Sequence, residues 1–151
     1  MEEIVEKKKR KIEEIKEENK NKKIKEEDFL SQCINELKLK KTISKVAFID
    51  LFGKLSQKSE GFELTEQECS NIVSAFENRD QFLMKGLQFE GKKFHIQQIE
   101  EKILICREHE GGVLILKSSK HYLVAIYNNI VPTECSMAVH KTVQSMKIKG
   151  Y

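Results

Sequence analysis

The sequence predicts an α+β layered domain preceded by a charged leader. Five short apolar or alternating runs follow one another between Gly86 and Tyr127, and a stripe of apolar residues at helical spacing stands on either side of them. A composition shift near Asp28 separates this domain from what precedes it.

Residues 1–28 hold 10 Lys/Arg and 10 Asp/Glu, with Ile4, Val5, Ile12, Ile15 and Ile24 as the branched apolar side chains. That is too little apolar surface to offset the entropy of ordering a chain. Residues 1–27 are therefore expected to be a flexible or partly helical extension, and 28–151 the folded domain. Glu3 with Lys7, Glu6 with Arg10 and Glu18 with Lys22 are favourable pairs four residues apart, each contributing about 0.2–0.5 kcal/mol to a helix. Like-charged pairs such as Lys7 with Lys11 subtract as much. Val5, Ile12 and Ile15 stand at heptad spacing, but the seam stops at Asn19, short of what a coiled coil needs.

Leu30, Cys33, Ile34 and Leu37 recur at helical spacing from about residue 28, and Lys38, Lys40 and Lys41 suit a helix C-terminus. The run VAFIDLF, residues 46–52, reads as a strand broken at Gly53, with a second strand over 54–58 completing a hairpin. Thr65 and Glu68 have capping-box spacing, and Cys69, Ile72, Val73 and Phe76 trace one face of a short helix ending near Asn78.

The five runs GLQFEG, KKFHIQQI, KILICRE, GGVLILK and HYLVAIY come next. Their connections leave no room for crossover helices, so neighbours must pair antiparallel in a meander. Pro132, acceptable in a first helical turn, precedes Cys135, Ala138, Val139, Thr142, Val143 and Met146, the apolar stripe of a final helix. Each terminal helix has one apolar face and must bury it against the sheet.

At 151 residues the chain is expected to form one domain. No apolar stretch approaches the roughly 20 residues of a membrane span, and the first ten residues lack a signal-peptide core, which points to a cytoplasmic address. Cys33, Cys69, Cys106 and Cys135 are widely spaced with no Cys-x-x-Cys pair, so they read as reduced core thiols, with neither disulfide nor metal. A net charge of +3 is too mild to imply nucleic acid. Phosphate-cradling and nucleophile motifs are absent, His95, His109, His121 and His140 are dispersed, and no cofactor or catalytic residue is expected. The polar residues then serve binding.

The order helix, hairpin, short helix, meander, C-terminal helix resembles profilin. Gly86-Leu87 followed by Glu90-Gly91-Lys92-Lys93-Phe94 resembles the profilin Gly-Leu-x-x-Gly-Gly-x-Lys-Tyr/Cys stretch, and Arg79-Asp80-Gln81-Phe82 is similar to the approach in animal forms. Tyr122 to Tyr127 looks like the last sheet strand, Cys135-Ser136-Met137 resembles the Cys-Asn-Met that opens the final helix, and the chain stops at Gly150-Tyr151 where profilins stop. The resemblance spans 29–151 and implies both terminal helices on one sheet face, with a short helix on the other. The absence of tryptophan and the extension suggest a divergent member, of the Asgard archaeal kind.

That resemblance implies a monomeric protein that binds monomeric actin and regulates polymerisation by sequestering monomers and suppressing nucleation. Carried over by position, the actin-binding residues are Lys93, His95, Gln98 and Arg107 on the strands and Thr133, Ser136, His140 and Lys141 on the last helix. Gln98 stands where animal forms have arginine. Helical spacing independently turns 136, 140 and 141 away from the buried stripe.

The family's grip on polyproline works by stacking aromatic rings on a preformed polyproline II ligand. Ser56 and Ser145 stand where the family has a tryptophan and an aromatic or histidine, leaving Phe29, Met146 and Tyr151 for a shallow site and weak binding. Attraction to phosphoinositides would use Lys38, Lys40, Lys41, Lys45, Lys147 and Lys149, each contributing about 1 kcal/mol at an anionic surface. The rival reading is a longin-, roadblock- or PAS-like scaffold or sensor without actin binding, since those modules also flank an antiparallel sheet with helices.

Overall fold

The computed structural model describes residues 2–109, 111–128 and 132–151. Its elements are α1 (Glu2–Lys38), β1 (Ile43–Asp50), β2 (Leu55–Lys58), α2 (Glu66–Glu77), α3 (Arg79–Lys85), β3 (Leu87–Phe89), β4 (Lys92–Ile99), β5 (Ile103–Glu108), β6 (Gly111–Lys117), β7 (His121–Asn128) and α4 (Pro132–Ile148). One antiparallel sheet runs β2-β1-β7-β6-β5-β4-β3. The expected meander is present from β3 to β7, and the hairpin joins it where β1 pairs with β7, Phe48 opposite Leu123.

Strand alternation divides the interior into two cores. On one face Val46, Phe48, Leu114, Leu123 and Ala125 pack with the predicted stripes of α1 and α4, among them Leu30, Ile34, Cys135 and Val139. On the other, Ala47, Ile49, Cys106, Val113 and Val124 meet Ile72 and Phe76 of α2 and Phe82 of α3. Both terminal helices therefore share a face, as the resemblance implied.

The composition boundary at Asp28 is not a break in the backbone: α1 runs unbroken over 37 residues, a rod of about 55 Å at 1.5 Å per residue. Residues 3–25 are exposed along it. Glu26 touches the sheet, its Oε1 lying 3.1 Å from Nε2 of the buried His121.

The first strand lies upstream of its expected 46–52 span, because Asp50 ends the ladder. Its carboxylate accepts hydrogen bonds from Phe52 N and Lys54 N, both at 2.9 Å, which leaves Phe52 93% exposed in the turn. Helix α3 was not anticipated, since Phe82 is its one buried residue and gives no periodic signal.

The capping box has a second use. Thr65 Oγ1 accepts from Glu68 N at 3.1 Å and Thr65 N donates back to Glu68 Oε1 at 3.2 Å. The same buried carboxylate accepts from Glu90 N at 3.0 Å and Gly91 N at 2.8 Å, in the turn between β3 and β4. Glu90 and Gly91 have φ of 55° and 79°, the left-handed pair of a tight hairpin turn. Glu90 in turn holds Lys45 Nζ of β1 at 2.6 and 2.8 Å. Strands near opposite ends of the sheet are thus pinned together, and the sheet curls around the α2–α3 core.

All four cysteines are free and buried. Burial pushes the Cys33 and Cys135 thiols up to about 11 and Cys106 up to about 12. They stay protonated near neutrality and are poor nucleophiles.

Candidate partner-binding surfaces

His95 pairs with Arg107, and Gln98 with Ile105, so these side chains share the face that carries α1 and α4. The register shifts between Ile96 and Gln98, making Gln97 the extra residue of a β-bulge. Helix α4 starts above this corner and brings Thr133, Ser136 and Met137 towards it. The result is a hollow of about 340 Å³ with an apolar floor of Ile105, Leu114 and Tyr127 and a rim including Gln97, Arg107, Thr133 and Ser136. Burial pushes the Tyr127 phenol pKa up, and the neighbouring Arg107 opposes it. Beside the rim, His140 Nδ1 lies 2.8 Å from the Ser136 carbonyl oxygen and donates to it, leaving Nε2 free of that bond.

The structure therefore gathers Arg107, Thr133 and Ser136 around one hollow, with His95 and His140 alongside. Lys93 is elsewhere: it lines a separate hollow with Asn71, Phe82 and Gly86 at the α3–β3 corner. Gln98 is turned to Glu100, its Nε2 donating to Oε1 at 3.1 Å, while the unassigned neighbour Gln97 reaches the hollow. The signal available was the Gln97-Gln98 pair, two polar residues in succession where alternation calls for one. Lys141 lines the groove between α1 and α4.

That groove has a volume of about 650 Å³ and includes Phe29, Cys33, Leu37 and Ala138 among its apolar walls. The Phe29 ring lies 5.5 Å from that of Tyr151, tilted by 48°. Met146 requires a correction: it is 0% exposed, because it belongs to the same buried stripe as Cys135 and Val139, and so supports the groove from beneath without facing a ligand. The six lysines named for phosphoinositide attraction are divided. Lys40 and Lys149 line the groove, Lys41 and Lys147 are exposed, Lys38 donates to the Ser44 carbonyl, and Lys45 is paired with Glu90 on the opposite sheet face.

Among the described residues no cluster of three His, Cys, Asp or Glu is placed to hold a metal, and no helix is long and apolar enough to cross a membrane.

A curled antiparallel sheet is thus backed by two terminal helices, with a polar-rimmed hollow and a helix–helix groove that meet at Met137 of α4. The profilin family model matches residues 29–151, and the chain belongs to the profilin family. It is 24% identical over 118 residues to Drosophila melanogaster profilin, covering 78% of this chain and 94% of that one. Against Acanthamoeba castellanii profilin-1A the identity is 26% over 110 residues, 72% of this chain and 87% of the relative. The solved structure of Acanthamoeba castellanii profilin IA superposes with a TM-score of 0.70 at 25% identity, covering 73% and 89% of the two chains. LokiProfilin2, solved in complex with rabbit actin, superposes at 0.65 with 19% identity over 79% and 96%. Mouse profilin IIa, in complex with a double repeat from the FH1 domain of mDia1, gives 0.67 at 11% identity over 80% and 98%.

Proposed function

We propose that this chain binds monomeric actin through the hollow between β4–β5 and the start of α4, and regulates polymerisation by sequestering monomers and suppressing nucleation. One observation carries the reading: Arg107, Thr133 and Ser136, assigned to actin contact from sequence position, surround a single apolar-floored hollow. A related profilin fold has been solved with rabbit actin. An apolar anchor with a polar rim suits a specific yet reversible contact. The protein acts by binding and not by catalysis, in the cytoplasm, as a monomer.

The α1–α4 groove is read as a weak site for proline-rich segments, supported by the family and by the FH1 complex of mouse profilin IIa. Phosphoinositide attraction falls to Lys40, Lys41, Lys147 and Lys149. Residues 28–151 form the binding domain, and 1–27 a charged extension that raises the local concentration of partners.

Titration of fluorescently labelled actin monomer with the full chain and with residues 28–151 tests this. Saturable binding by both supports the reading, and no binding by either refutes it.

A further inference from the structure

One face of the Phe29 ring is already occupied. Lys149 Nζ sits 4.4 Å from its centroid, well within the roughly 6 Å reach of a cation–π contact, and Tyr151 packs beside it. A proline ring stacking on Phe29 from the groove must displace that ammonium. Once displaced, the ammonium loses the ring's attraction, and a carboxylate on the ligand would offset that loss.

The rest of the groove is already balanced. Lys40 and Lys141 line it together with Glu36 and Glu134. At the Phe29 end the lining cation, Lys149, is held by the ring and makes no ion pair among the described residues.

We propose that this groove selects proline-rich segments carrying an acidic side chain beside the prolines, the carboxylate drawing Lys149 off Phe29 while a proline takes the ring face. The inference rests on the groove being a proline-rich site.

The test compares a ten-proline peptide with the same peptide ending in two glutamates or two lysines, titrated against the full chain, Lys149→Met and Phe29→Ala. The glutamate peptide should bind the parent at least about threefold more tightly than plain proline, the lysine peptide less tightly, and high salt should shrink the difference. Lys149→Met, an exposed change that keeps the aliphatic stem, should erase the difference and bind plain proline more tightly than the parent does. Equal affinities for plain and acidic peptides, or an acidic advantage that survives in Lys149→Met, overturn the proposal. If plain proline binds and needs Phe29 but acid adds nothing, the groove reading stands and the selectivity falls. If no peptide binds, both fall. Phosphatidylcholine vesicles doped with a phosphoinositide form a further arm: Lys149-dependent vesicle binding without an acidic-peptide advantage assigns the cation to lipid and overturns the proposal.

Discussion

Gly112 of β6 and Tyr127 of β7 stand directly opposite each other, and a β-carbon built on Gly112 would lie 2.5 Å from the Tyr127 hydroxyl oxygen. The tyrosine ring lies across the space the glycine leaves, towards Arg107, which pairs with Gly112 from the other side. Glycine here serves close approach and not backbone freedom, since its φ is outside the left-handed region. The proposed actin-binding hollow owes its floor to that absence.

Gly112→Ala should therefore press its methyl on the Cys106 carbonyl of β5 as well as on Tyr127, so that both the strand pairing and the ring must shift. Overpacking of a filled site costs about 1–3 kcal/mol, and a urea melt should show that loss, whereas Tyr127→Phe, which keeps the ring, should lose less.

Glu68 is 5% exposed and its carboxylate accepts three backbone hydrogen bonds, from Thr65, Glu90 and Gly91. Glu68→Ala strands buried N–H groups and should cost about 3 kcal/mol, with Glu68→Gln costing less. Amide exchange should quicken across β3–β4, the hairpin that carries His95, before it quickens in β6–β7.

Burial lowers the His121 pKa below its ordinary value, while Glu26 and Asp50 oppose the shift and Lys120 adds to it. A histidine with a depressed folded pKa binds fewer protons folded than unfolded, so stability rises with pH between the folded value and about 6.5. Denaturant melts from pH 7.5 to 5 should show stability falling as acid is added below about 6.5. The fall should steepen in Glu26→Gln and flatten in His121→Gln.

The paired state of Lys45 separates two roles for lysine. Lys45→Met should weaken the fold by breaking its contact with Glu90 and leave binding to phosphoinositide vesicles unchanged, while Lys41→Glu should weaken vesicle binding at unchanged melting temperature. Vesicle co-sedimentation alongside thermal melts reads both.

The layered fold was legible because apolar residues recur at the period each element needs: Val46 with Phe48 and Ala47 with Ile49 fill the two faces of β1, and Cys135, Val139, Val143 and Met146 form one buried stripe of α4. Helix α3 is not legible in the sequence because a single buried Phe82 makes no period. Site placement was legible only to the level of an element. Spacing turned Lys141 away from the buried stripe, yet which flank of α4 faces α1 depends on how two distant helices pack, and that put Lys141 in the groove. A one-residue bulge exchanged Gln98 for Gln97 at the hollow, since a register shift depends on the partner strand. Met146 fits both the core stripe and a ligand contact by spacing alone, and its burial leaves it only the first role.

The most direct measurement is polymerisation of pyrene-labelled actin with the parent chain and with the exposed double substitution His95→Glu/Arg107→Glu. The parent should slow assembly in proportion to its concentration, and the double variant should lose most of that effect while melting at the same temperature. Inhibition by the variant equal to that of the parent, or no effect of the parent at saturating concentration, would contradict actin binding through this face.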